Sequence, residues 1–144
     1  NIAAELRPAI PDGCVIVVEA GVRSVTKADS YYQADLAVTC APSARGQHET
    51  EAPRLIIEVL SHSTESHDRK VKLVDYRNMP SVEEVLLVDQ DRPFCELHRR
   101  VEGGRWLVEL LVDPGAIVTL GSVSVEIALE AIYSGLDLET SEEL

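Results

Sequence analysis

The stretch RLIIEVL (residues 54–60) sets one carboxylate, Glu58, inside a nearly continuous apolar run. A short run of branched aliphatic residues reads as a strand covered on both faces, central in its sheet. A carboxylate in such a strand is costly to bury unless something pairs with it. Glu58 therefore constrains its neighbours: another segment must bring it a charge or a hydrogen-bond donor. Two flanking segments offer partners. ADLAVTC, upstream, reads as a second strand with Asp35 among apolar residues. DRKVKLVDYRNM, downstream, reads as a helix that carries Lys72, stops before Pro80 and is preceded by the Ser/Thr-rich caps of SHSTES. Two carboxylates and a lysine brought together suit a hard divalent cation and a negatively charged substrate, which points to phosphodiester chemistry.

Whether they meet depends on register. If the two strands pair antiparallel across APSARGQHETEA with Cys40 facing Arg54, Asp35 falls opposite Val59. A register one residue away puts Asp35 and Glu58 on the same side, because a single-residue slip exchanges the faces of a strand. The loop length permits both. Lys72 lies one helical turn beyond Asp68, and Tyr76 continues that stripe. Lys72 is thus placed either for an ordinary salt bridge with Asp68 or for leaning over the carboxylates.

Composition excludes several alternatives. The chain has 144 residues, 45% of them hydrophobic, enough for one domain (1–144) with a real core. No apolar run approaches a membrane span and no leader pattern is present, so a cytoplasmic protein is expected. The three cysteines, Cys14, Cys40 and Cys95, are widely spaced and odd in number. They suggest neither a zinc site nor a disulfide framework, and Cys14 and Cys40 read as small core residues. The formal charge of −12 argues against non-specific clamping of a polyanion. Basic residues gather on the helix (Arg69, Lys70, Lys72, Arg77) and around one hairpin (Arg92, Arg99, Arg100, Arg105), the routes left for a polyanion, with a metal as bridge.

The remaining pattern is that of a mixed domain. NIAAELRPAI reads as the end of a helix with Ile2, Leu6 and Ile10 on one side, and CVIVVEAGVRSV as a strand broken or bulged at Gly21. VEEVLLVDQ reads as a further central strand. PFCELHRRV and RWLVELLV flank the turn Glu102-Gly103-Gly104. AIVTLGSVSVEI suggests one or two short strands, and LEAIYSGL a brief closing helix. Asp89 reads as a turn residue, Ser61 as a cap, and Trp106 as a core or interface residue. His62 and His67 flank the same corner as Glu58, but lone histidines near caps usually bond backbone or solvent.

Taken together, Ala34-Asp35, Ile57-Glu58-Val59-Leu60-Ser61, Asp68-Arg69, Lys72, Tyr76-Arg77 and Val85-Leu86-Leu87-Val88-Asp89 resemble the Uma family of "putative restriction endonucleases", a branch of the PD-(D/E)XK nuclease superfamily. The resemblance implies an α/β (α+β) restriction-endonuclease-like fold: a mixed central sheet, flanking helices and a β-rich C-terminal half. It implies Asp35 and Glu58 as ligands of Mg²⁺ (or Mn²⁺), with the Val59 carbonyl as a further ligand, and Lys72 as the catalytic lysine. In the wider superfamily that lysine stands two places after the glutamate. Leu60 occupies that position here, and the family is thought to use a lysine from the following helix instead. Ala34 replaces a proline that bears on backbone shape.

The resemblance also implies a further N-terminal helix and a hairpin with another glutamate ahead of these residues, so the expectation is either a shortened version of the family's chain or an incomplete form of its site. An exposed apolar patch or a partner chain is the expected consequence, most simply a homodimer. Two function classes follow. One is a magnesium-dependent endonuclease acting on DNA. The other is a catalytically inactive, homo-oligomeric binding or structural module on the same fold.

Overall fold

A computed structural model describes residues 2–27, 31–40, 50–61 and 68–134. It begins with a short helix, α1 (Ile2–Leu6), whose Ile2 and Leu6 are buried. Three strands follow, β1 (Val15–Arg23), β2 (Tyr31–Thr39) and β3 (Pro53–Leu60). A π-helical turn over Asp68–Lys72 runs into α2 (Leu73–Arg77). Then come β4 (Glu84–Asp89), β5 (Cys95–Val101), β6 (Arg105–Leu111), β7 (Ile117–Leu120) and β8 (Val125–Ala128), and α3 (Leu129–Ile132) closes the described chain. Among the described residues no helix is long and apolar enough to cross a membrane.

Six strands form one sheet in the order β1-β2-β3-β4-β5-β6, and β7 pairs with β8 in a separate hairpin. All neighbours in the large sheet are antiparallel except β3 and β4, which run parallel and are joined through α2. A parallel pair needs a crossover and is covered on both faces, which accounts for the unbroken apolar reading of RLIIEVL. Leu55 and Ile57 enter one core with Leu36, Leu86 and Leu97, beneath α1, the β7–β8 hairpin and α3. Ile56 and Leu60 enter a second core with Ala37, Val85, Leu87 and Tyr76, beneath α2.

Buried polar groups fasten the cover elements. Glu84 accepts hydrogen bonds from Ser122 Oγ (2.5 Å), Ser122 N (2.9 Å), Gly121 N (3.2 Å) and Arg99 Nε (3.1 Å), tying the β7–β8 turn to the start of β4. Asp75 of α2 accepts from the Ser24 hydroxyl, Val25 N (3.0 Å), Thr26 N (3.2 Å) and Thr26 Oγ1 (3.0 Å), tying the segment after β1 to the helix. Burial opposes the charge on Asp75, but these donors outweigh it and hold the carboxyl below its ordinary range. Arg100 closes the C-terminal end of α2 by donating to the carbonyls of Arg77 (3.3 Å), Met79 (2.8 Å) and Val82 (2.9 Å).

Several expectations change. Cys14 and Cys40 are not isolated core residues. They form a disulfide, placed at the first position beyond the Val15–Thr39 pair of β1 and β2. The irregularity of β1 lies at Glu19, with φ of 53°, and the ladder continues through Gly21. The helix is shorter than its sequence pattern, since regular α-helix covers only Leu73–Arg77. The hairpin basic residues form no single open patch: Arg99 is bound to Glu84, Arg100 to backbone carbonyls, and Arg92 to Asp89. Ser61 is half-buried just beyond the end of β3, whereas the rest of the SHSTES caps, together with His62 and His67, lie outside the described residues. Trp106 is half-buried against the second core, with the guanidinium carbons of Arg100 and Arg77 at 4.6 Å and 5.3 Å from its ring centre.

Candidate active site

The site forms where β2 and β3 part. Their ladder includes Ala37–Ile56 and reaches Leu36–Ile57. The next opposed positions are Asp35 and Glu58. Thr39 faces Pro53, a register that continued unchanged would set Asp35 against Ile57, and the shift at Val38/Thr39 moves Asp35 onto Glu58; the pairing of Cys40 with Arg54 does not occur. Asp35 and Glu58 thus share the face on which α2 lies.

At this point carboxylates replace the backbone ladder. The Asp35 amide donates to Glu58 Oε1 at 3.3 Å, and the Val59 amide donates to Asp35 Oδ2 at 2.7 Å. Each strand's acid is held by the other strand's backbone, so neither carboxylate can swing away without breaking a bond at the strand ends. Asp35 Oδ1 has no hydrogen-bond partner among the described residues, and Asp35 is exposed where Glu58 is only 2% exposed.

From the π-helical turn and α2 that continues it, Lys72 and Tyr76 reach Glu58 together. They are four residues apart, hence on one helical face. Tyr76 donates its hydroxyl to Glu58 Oε2 at 2.6 Å, and Lys72 Nζ lies 3.3 Å from the same oxygen and 3.3 Å from the Gln33 carbonyl. Tyr76 is itself fixed by burial and by an edge-on contact with the Tyr32 ring at 5.8 Å. Burial pushes the Glu58 carboxyl up to about 7 and the neighbouring Asp35 charge adds to this, while the Tyr76 hydroxyl, Lys72 and the Asp35 amide work against it.

The donor set suits a hard divalent cation. It offers carboxylates and a backbone carbonyl, with neither thiol nor imidazole, and among the described residues no third His, Cys, Asp or Glu joins the group. Magnesium is commonly held in this way, by one or two carboxylates with water and phosphate oxygens completing its shell. Asp35 Oδ1 is an open acceptor, and a buried carboxyl held near neutrality is one that an added positive charge would ionise. Asp35, Leu36 and Val59 also line a cavity of about 600 Å³ that reaches Val88, Asp89 and Tyr133, so the strand ends open onto space able to take a ligand. Glu19 is bracketed by the pairs Val18–Leu36 and Ala20–Ala34 and so lies across from Asp35 in the ladder, with a left-handed backbone, and it does not complete a three-residue ligand group with Asp35 and Glu58.

Asp35, Glu58 and Lys72, singled out from sequence, are therefore brought together. Tyr76, which the sequence marked on the Lys72 stripe and in the family pattern but gave no role, is the fourth member, and its spacing from Lys72 was the available signal. Asp89 serves its turn, accepting from Asp91 N at 2.8 Å and Arg92 Nε at 3.3 Å.

Comparisons with known proteins bear on the family and the fold. The family described as "Uma2: Putative restriction endonuclease" matches residues 1–130. Two proteins of Synechocystis sp. are similar. "Uncharacterized protein slr1290" is 32% identical over 113 residues, 78% of this chain and 59% of that one. "Uncharacterized protein sll1609" is 29% identical over 107 residues, 70% of this chain and 59% of that one. The chain thus spans 59% of the length of these relatives. A crystal structure of a "putative nuclease belonging to DUF820" from Anabaena variabilis has the same fold, with a TM-score of 0.68 at 17% identity, over 92% of this chain and 74% of that one.

Proposed function

This chain belongs to the Uma2 family of "putative restriction endonucleases", and from that premise we propose that it is a magnesium-dependent endonuclease hydrolysing DNA phosphodiester bonds at Asp35, Glu58 and Lys72. The observation that carries the reading is the buried Glu58, met from β2 by Asp35, from the turn that opens α2 by Lys72, and from α2 by Tyr76. Asp35, Glu58 and the Val59 carbonyl would hold Mg²⁺, or Mn²⁺ in its place. The ion would supply Lewis acidity toward a phosphoryl oxygen and a water. The protein groups do the rest. The strand-end hydrogen bonds fix both carboxylates, Tyr76 holds Glu58 Oε2 in place, and Lys72 contributes positive charge where negative charge grows on the phosphoryl group. One site cuts one strand, so a duplex substrate favours a homodimer with two sites, working in the cytoplasm where DNA is found.

Supercoiled-plasmid nicking with Mg²⁺ and with Mn²⁺ tests the proposal, alongside calorimetric titration of the metal. Asp35→Ala with Glu58→Ala abolishes both cleavage and binding. Lys72→Ala lowers turnover more than metal affinity, and undiminished cleavage by Lys72→Ala would remove the lysine from its role. A second reading has one observation in its favour: Glu58 already has an internal cation in Lys72, 3.3 Å away. On that reading the carboxylates are a closed ion-pair site in a non-catalytic homo-oligomeric module. Calorimetry without a metal signal, with no nicking by the wild type, would establish it.

A further inference from the structure

β6 is an edge of the six-stranded sheet, and its outer side has no neighbouring strand among the described residues. An open row of N–H and C=O groups pairs with any strand offered to it, so edges are usually blunted by charge, proline or a bulge. The opposite edge is blunted, because β1 carries the kink at Glu19. β6, RWLVELL, has no proline, glycine or bulge. Its Leu107, Val108 and Leu110 are 51%, 45% and 58% exposed. Leu107 lies on one face of the sheet and Val108 and Leu110 on the other, so an element laid on one face leaves part of the set bare. A strand added at the edge brings cover to both.

The strand is complementary to itself. In Arg105-Trp106-Leu107-Val108-Glu109, an antiparallel partner related by a two-fold axis at Leu107 sets Leu107 against Leu107 of the partner subunit, Trp106 against Val108 of the partner subunit, and Arg105 against Glu109 of the partner subunit. Arg105, Leu107 and Glu109 share a face, so the two ion pairs flank the apolar centre. Other registers lack this match. An axis at Arg105 or Glu109 sets like charges together, and an axis at Val108 sets Leu107 against Glu109.

We propose that β6 pairs antiparallel with β6 of a second copy about a two-fold axis at Leu107, joining the two sheets edge to edge. The inference rests on the homodimer of the proposed function and names its surface, and it is independent of whether the site cleaves DNA. Such an interface is isologous, so each charged pair occurs twice.

Sedimentation equilibrium on the chain and four variants tests it, with circular dichroism confirming that each variant keeps its fold. The expected result is a wild-type dimer. Glu109→Arg or Arg105→Glu, each placing like charges in both pairs, weakens it by about tenfold or more. Leu107→Lys, bringing two ammonium groups together on the axis, does the same. The double variant Arg105→Glu with Glu109→Arg restores the dimer. A monomeric wild type overturns both the homodimer and the edge. A dimer indifferent to all four variants overturns the edge alone, and single-variant weakening without rescue overturns the register. None of these outcomes alters the nicking assay, so failure here and failure of the nuclease reading are separable.

Discussion

Replacing Glu58 with glutamine should change how stability depends on pH, because burial raises the Glu58 carboxyl in the folded chain. In the folded chain burial holds the carboxyl at about 7, against an ordinary 4.5. Between those values the folded state keeps a proton that the unfolded chain has released, so folding becomes less favourable as pH rises, and the loss is complete once pH exceeds the folded value. At about 1.4 kcal/mol per pH unit, the gap between the two values amounts to about 3 kcal/mol. Glu58 is 2% exposed, so solvent screening removes little of it. Glutamine keeps an acceptor for Tyr76 and does not titrate. Urea unfolding of wild type and Glu58→Gln from about pH 4 to about pH 8 isolates the contribution, because every other group titrates in both proteins. The wild-type curve should fall relative to the variant by about 3 kcal/mol across that window. Magnesium at about a hundred times its dissociation constant should return about 2.7 kcal/mol to the wild type at the alkaline end, and nothing to the variant. Parallel curves without metal would mean that Glu58 is not held near neutrality, and the account of the site as a strained carboxylate awaiting a cation would be wrong.

Other consequences are simpler to measure. Tyr76→Phe removes the hydroxyl that helps keep Glu58 charged, an interaction worth about 1.5–3 kcal/mol; Mn²⁺ titration at neutral pH should show at least about tenfold weaker binding, and unchanged affinity would deny Tyr76 this role. Asp75→Ala strands the donors of Ser24, Val25 and Thr26 and should lower unfolding stability by about 3 kcal/mol. The wild type should also lose stability as pH falls through the depressed range of Asp75, and Asp75→Asn should flatten that acid limb. Thiol titration of protein purified without reductant and then unfolded should find one thiol, that of Cys95, and three after reduction. Losing the disulfide across a separation of 26 residues should cost about 3 kcal/mol in the same urea assay.

The fold was legible where residue pattern and burial coincide. The apolar run around Glu58 announced a strand covered on both faces, and the spacing of Lys72 and Tyr76 announced one helical face. The rest depended on register, which side-chain pattern alone leaves undetermined. Asp35 faces Glu58 because of the shift at Val38/Thr39, and nothing in the polar loop between the strands encodes an extra residue there. The disulfide follows from the same kind of fact. Cys14 and Cys40 look unrelated until Val15 is set against Thr39, and then they are the next pair. Arg100 was read as surface charge because a sequence does not reveal that a helix end lies beside it with carbonyls to satisfy.

Placement also changes the meaning of the net charge of −12. Arg92, Arg99 and Arg100 serve internal partners, so they offer a polyanion less than their number suggests. The proposed site lies beside an exposed Asp35 and a cavity that also borders Asp89, which repel phosphate while they are charged. At an effective dielectric of about 20, a unit charge 4 Å from another contributes about 4 kcal/mol. A divalent cation between the carboxylates would therefore reverse the local sign as well as supply Lewis acidity. Under the proposed function the acidic surface then acts as a filter: without the metal the site rejects nucleic acid, and with it the strand ends of β2 and β3 become the place where a phosphodiester is drawn in.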